Sequence, residues 1–191
     1  MKRLVIGISG ASGAIYGIRM MEALKGHAES HLILSEMARQ TITQETAYRV
    51  SDVEAMASYI HDVRDLLAPV SSGSFRTDGM VIIPCSIRSL SGVTNSYNEN
   101  LILRAADVTL KERRRLVLAV RECPLHTGHL RLMLQASEMG AIVFPPVPAF
   151  YHMPETLDDV IHHTIGKILD LFDIEHTLFK RWEGKRAEPA R

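Results

Sequence analysis

The chain has 191 residues, 22 Lys+Arg against 22 Asp+Glu, 46% hydrophobic residues and two cysteines. That length suits one domain with a substantial core, and the balanced charge gives no overall field toward nucleic acid or a membrane surface. Cys85 and Cys123 do not make a disulfide scaffold and fit a reducing cytoplasm, the expected compartment. No apolar run reaches the ~20 residues of a bilayer span, and the first strand starts too early to leave room for a signal peptide.

Apolar runs predict strands near 3–8, 30–34, 79–84, 115–120 and 141–144, with helices near 13–25, 36–46, 51–58, 86–93, 98–112, 127–139 and 155–172. The strand runs do not alternate, as in a parallel sheet covered on both faces. This is the rhythm of a three-layer, doubly wound α/β fold of the Rossmann-like kind. We read one domain over 1–178 and a C-terminal tail over 179–191. In such a sheet the ligand lies beyond the carboxyl ends of the strands.

The first of those ends is the most informative. Leu4-Val5-Ile6-Gly7-Ile8 runs into Ser9-Gly10-Ala11-Ser12-Gly13 and then into an amphipathic helix pattern. Strand, small-residue loop and helix start together form a phosphate site, because glycines admit a ligand and the helix start offers N–H donors. The spacing Gly7-x-x-Gly10-x-x-Gly13 is neither the dinucleotide fingerprint nor a Walker loop. The second strand ends in Ser35, where a ribose-binding carboxylate is expected in NAD proteins. A mononucleotide such as FMN remains compatible; a turn that merely packs helix on sheet is the alternative.

Glu45 closes the second helix, where a carboxylate opposes the dipole. Ser71 through Gly79 reads as a flexible polar approach to the third strand. Pro84-Cys85-Ser86-Ile87-Arg88-Ser89 is a second strand-to-helix turn with Ser86 as its N-cap, so two helix starts, with Ser12 opposite, would converge on one anion. Arg104 and Lys111, seven apart, share a helix face. The run Lys111-Glu112-Arg113-Arg114-Arg115 reads as a solvated helix end. Arg121-Glu122 follows an apolar strand at the ligand edge, where the pair can clamp a phosphate and move a proton or serve as a structural ion pair.

Pro145-Pro146-Val147-Pro148-Ala149-Phe150-Tyr151-His152 is a stiff turn that presents a phenol, with His152 as a structural donor. His162 and His163 are adjacent and point apart on a helix, and no metal-binding spacing occurs, so we expect no metal site. Trp182 stands in a polar tail, Phe179 through Arg186, and is read as a subunit contact.

Taken together, Gly10-Ala11-Ser12-Gly13-Ala14, Ser71-Ser72-Gly73-Ser74-Phe75, Pro84-Cys85-Ser86, Arg104-Ala105-Ala106-Asp107-Val108, Leu110-Lys111-Glu112-Arg113, Arg121-Glu122-x-Pro124-Leu125 and Pro145-Pro146-x-Pro148-Ala149-Phe150-Tyr151 resemble, in this order, the UbiX-type flavin prenyltransferases. The family was formerly described as the small subunit of aromatic-acid decarboxylases. The resemblance covers residues 1–182. It implies a flavodoxin-like fold and a homododecamer with sites at subunit junctions. The implied reaction joins reduced FMN to dimethylallyl phosphate through flavin N5 and C6, without a metal. Its product, prenylated FMN, would serve a UbiD-type decarboxylase.

By resemblance, Gly10, Ala11, Ser12, Ser35, Ser86, Ile87, Arg88, Ser89 and Arg121 bind the flavin. Tyr151 and Lys167 contact the prenyl phosphate, with Arg104 and Lys111 as basic residues nearby and Trp182 beside the prenyl group. Glu45 and Glu122 are the acids for proton handling, with Ser12 at the same place. Ser89 stands where Thr is common, and Lys167 where many relatives carry Arg, which keeps the charge but loses the bidentate fork. Cations at Lys111, Arg121 and Lys167 would stabilise the departing phosphate, and the Tyr151 and Trp182 faces an allyl cation. Two other readings stay open at this point: an FMN-dependent cysteine-peptide decarboxylase, and a non-catalytic FMN-binding subunit of an aromatic-acid decarboxylase.

Overall fold

The computed structural model describes residues 1–182 and Gly184. The first compact unit, Met1–Pro146, contains β1 (Lys2–Ile8), α1 (Ala14–Leu24), β2 (Ala28–Leu34), α2 (Glu36–Glu45), α3 (Val50–Glu54), β3 (Tyr59–His61), β4 (Gly79–Cys85), α4 (Ile87–Thr94), α5 (Leu101–Lys111), β5 (Arg115–Val120), α6 (Thr127–Glu138) and β6 (Ile142–Val143). The second unit, from Val147 onward, contains α7 (Leu157–Leu171). Of the tail expected over 179–191, Glu183 and residues 185–191 lie outside the described residues.

Every strand pairing is parallel, in the order β3-β2-β1-β4-β5-β6. This is the doubly wound order, and it reverses direction between β1 and β4. Both faces of the sheet are covered, as the unbroken apolar runs require. A Cβ added at Gly7 would meet Ile102 of α5, whereas one at Gly17 of α1 would meet Ile8 from the opposite side. Val5, Ile33, Met80, Ile82, Leu116 and Leu118 form the α5-side core with Leu90, Ile102, Ala105 and Ala106. The fold is therefore the three-layer α/β arrangement expected, with five of its strands near their predicted positions.

The sixth strand, β3, was not anticipated. It has three residues, and Tyr59 and Ile60 are about half exposed, so it carries no apolar run to read. It is held by side chains instead: the Tyr59 and His61 rings both stack on His31 of β2, at 4.8 and 5.2 Å between centroids. The segment Ser71–Gly79, expected to be flexible, is tied down. Arg104 donates to the Ser71 carbonyl, and Arg114 to the carbonyls of Gly73 and Phe75. Arg114 is thus a tether, not the solvated helix end that the charge run suggested. Among the described residues no helix is long and apolar enough to cross a membrane.

Candidate active site

β1 and β4 part at their carboxyl ends, and Ser9 holds the gap. Its buried hydroxyl donates to the Pro84 carbonyl at 2.8 Å and accepts the Ser86 N–H at 2.8 Å. Beyond this latch opens a cleft of about 440 Å³ lined by Gly10, Ser35, Met37, Arg64, Ser86, Arg88, Ser89 and Asn100, among others. Ligand pockets commonly fall between about 300 and 1,000 Å³. Gly10 fits here only without a side chain, since an added Cβ would lie 2.2 Å from Cβ of Met37.

Two helices begin at the cleft. Ser35 caps α2 by accepting the Ala38 N–H, and Ser86 caps α4 by accepting the Ser89 N–H, the N-cap role expected of it. Each serine takes up the third amide of its helix. The first two, Glu36 and Met37 in α2 and Ile87 and Arg88 in α4, have no acceptor within their own helix by position. Four such donors at two positive dipole ends suit a phosphate. At the rim Arg88 pairs with Glu99 and Arg64 with Glu36.

The start of α1 does not match the expectation of a vacant phosphate site. Gly13, at φ +99°, turns the loop, and its N–H donates to Glu45 Oε2 at 2.7 Å. Ala14 N–H donates to the same oxygen at 3.2 Å, and the Ser12 hydroxyl also bonds to this carboxylate. Burial pushes the Glu45 pKa up, but these hydrogen bonds and the charge of Arg121 outweigh it and hold Glu45 below the ordinary carboxylate range. The α1 terminus thus carries the chain's own anion, supplied from 31 residues downstream. Arg121 donates its N–H to the Cys85 carbonyl, which fixes the β5 exit beside β4. Glu122 is exposed, and its carboxylate accepts the neighbouring Cys123 N–H. Cys85 itself is buried, which pushes its thiol up to about 12 and makes it an inert packing group.

Arg104 and Lys111 lie elsewhere. A crossover helix returns the chain to the amino edge of the sheet, so Lys111 at the end of α5 comes four residues before β5 begins. There it pairs with Glu112 beside Gly73, and Arg104 pairs with Asp107. Lys111 thus sits about a strand length, ~20 Å, from Arg121 at the other end of β5, whereas Arg104 directly follows Leu103 of the cleft wall. The expected grouping of Lys111 with Arg121 does not form within one protomer.

In the second unit Tyr151 is half exposed and donates to or accepts from His163 at 2.6 Å. Trp182 stands edge-on to Tyr151, with ring centroids 6.3 Å apart, and is 72% exposed. Lys167 is exposed on α7. His152 does not act as the structural donor expected: neither ring nitrogen has a partner among the described residues, and the ring packs by its face. The sequence reading placed Ser9 in the phosphate loop without giving it a role, and among other cleft residues it did not single out Met37, Arg64 or Asn100. Those three carry no local signal, because their role comes from where α2, the β3 exit and α5 meet.

Comparison with known proteins agrees with this geometry. The Flavoprotein family matches residues 1–175. Flavin prenyltransferase UbiX of Salmonella typhimurium is 59% identical over 188 residues, covering 96% of this chain and all of that one. The crystal structure of AnUbiX (PadA1) in complex with FMN and dimethylallyl pyrophosphate superposes with a TM-score of 0.94 at 48% identity, over 96% of this chain and 98% of that chain. A dodecameric FMN-dependent UbiX-like decarboxylase from Escherichia coli O157:H7 gives 0.93 at 48% identity, over 95% and 100%. With identity this high over nearly its whole length, the chain belongs to the UbiX family of flavin prenyltransferases.

Proposed function

We propose that the chain binds reduced FMN in the cleft at the β1/β4 switch point and transfers to it a dimethylallyl group from dimethylallyl phosphate. The observation that carries this reading is the convergence of the α2 and α4 helix starts on one cleft, latched by Ser9 and kept open by Gly10. Gly10, Ala11, Ser35, Ser86, Ile87, Arg88 and Ser89 would hold the flavin and its phosphate, which such amide donors and hydroxyls fit. The relatives' printed names and the FMN and dimethylallyl ligands of the superposed structure support the assignment. Reduced FMN supplies nucleophilic N5 and C6, and the prenyl donor supplies the allyl carbons and a leaving phosphate.

The protein's part is to orient the two partners and to absorb charge. Tyr151 and Lys167 would bind the donor phosphate, and Trp182 would present an aromatic face to the allyl fragment. Arg121 lies close enough to Glu45 and Tyr16 to affect both electrostatically, and would add positive charge at the cleft. Glu45, ionised and held by Gly13, Ala14 and Ser12, is poised to accept a proton. Glu122, exposed beside Arg121, is the second candidate for proton handling.

Lys111 lies at the far end of α5 from its own chain's cleft, so we place it, with Arg104, in the cleft of a neighbouring copy. Leu125 and, on α6, Leu130 and Leu134 are exposed, an apolar surface that self-association would cover. The dodecameric relative makes a homododecamer the natural assembly. The product would pass to a UbiD-type decarboxylase in the cytoplasm, where an exposed thiol such as Cys123 stays reduced. Anaerobic incubation with reduced FMN and dimethylallyl phosphate should yield a flavin heavier by one prenyl unit. Mass spectra showing only unmodified FMN would remove this function.

A further inference from the structure

Tyr151 has one hydroxyl proton, and His163 decides where it goes. Nε2 of His163 lies 2.6 Å from the Tyr151 oxygen. If that nitrogen accepted, the phenol proton would be consumed inside the protein and Tyr151 could offer an anion nothing. If Nε2–H donates instead, the phenol proton stays available and the phenol oxygen is polarised toward releasing it.

The surroundings fix His163 and leave Tyr151 reaching outward. His163 is 7% exposed and Tyr151 53%. The His163 ring lies flat on His152, with centroids 4.5 Å apart and 7° between planes, and it also packs on Phe179. Tyr151 meets it edge-on at 80°, which lets the hydroxyl address the ring nitrogen in its plane. Burial, followed by the charges of His152 and Lys167, lowers the His163 pKa, so the ring is neutral and has a single N–H to place. Lys167 follows four residues later on α7, on the same helix face.

We propose that His163 is a positioning residue for Tyr151: its Nε2–H donates to the phenol oxygen, so that the phenol proton is directed to the phosphate of the prenyl donor. The inference rests on the donor-binding role given to Tyr151 above.

A double-mutant cycle tests it, with steady-state formation of prenylated FMN as the assay. His163→Phe keeps an aromatic ring against His152 and Phe179 but removes the nitrogen. It should raise KM for dimethylallyl phosphate about tenfold, the usual scale for one hydrogen bond to a charged group, with FMN affinity and melting temperature close to those of the parent. His163→Gln, whose amide N–H₂ can occupy the Nε2 position, should recover most of that loss. On a Tyr151→Phe background, His163→Phe should add nothing. Independent, multiplying effects would overturn the inference alone, as would failure of His163→Gln to recover where His163→Phe loses. An unchanged KM in Tyr151→Phe would instead remove the donor-binding role of Tyr151, and this inference with it.

Discussion

The two edges of the sheet use the same residue types to opposite ends. At the amino edge Arg114 is anchored on the carbonyls of Gly73 and Phe75 and Arg3 on Glu29 and the Arg76 carbonyl, while Arg104, higher on α5, holds the Ser71 carbonyl. Arginine there closes the structure. At the carboxyl edge the arginines Arg64 and Arg88 pair only at the rim of a cleft, while serines cap two helices and leave the first amides of each facing it. A site therefore depends less on which residues are present than on which backbone ends are left open to a ligand. A parallel sheet concentrates helix starts at one edge only.

The largest test of this contrast is Lys111→Ala. It should lower turnover by about 10²–10³-fold, the scale for loss of one charge-stabilising donor, while leaving melting unchanged, because Lys111 is exposed at the amino edge. Mixed oligomers of Lys111→Ala and Gly10→Val should regain part of the activity, since intact clefts would then meet intact lysines from neighbours. No recovery in the mixture would confine Lys111 to a structural role at its own edge.

Gly10→Val is next. The added Cβ overlaps Met37, which costs about 1–3 kcal/mol in a packed setting. FMN affinity, read by flavin fluorescence, should fall about 5- to 100-fold if that strain lies in the liganded loop. Unaltered affinity would mean that the loop does not shape the cleft.

The amino-edge network predicts a pH effect on stability. His31 and His61 bond to each other at 2.9 Å, and burial is the main cause that lowers both pKa values. Each is neutral in the fold but protonates near pH 6.5 when unfolded, so the unfolded state gains more protons as pH falls. Stability should be whole above about pH 6.5 and decline below it. His31→Phe should flatten that decline in thermal melts; an identical slope would place the acid sensitivity elsewhere.

The smallest effect is expected of Glu45→Gln on folding. A depressed carboxylate pKa contributes above the ordinary glutamate value, about 4.3, and its contribution disappears as pH falls through the lowered folded value. Because Glu45 is exposed, the loss at neutral pH should stay under about 1 kcal/mol. Turnover should suffer far more than melting. Equal losses would reduce Glu45 to a helix cap.

Much of this was legible beforehand for physical reasons. Continuous apolar runs such as Leu116–Val120 report burial on both faces, and Ser35 and Ser86 report helix starts, because these signals are local. β3 escaped because three residues, two of them half exposed, carry no periodicity. Glu45 was noticed as a misplaced charge, yet its partners Gly13 and Ala14 lie 32 and 31 residues away, and only folding joins them.

What the amino acids alone determined is the alternation of strand and helix, the loops that end each strand, and the family likeness those loops carry. What tertiary structure decided is the side of the sheet on which each group emerges. Lys111 shares a motif-level reading with the flavin loops, but a helix that joins two parallel strands runs antiparallel to them, so its end returns to the opposite edge. Distance along the chain cannot encode that, because it is set by the direction of the connecting helix in a parallel sheet and not by any residue's chemistry.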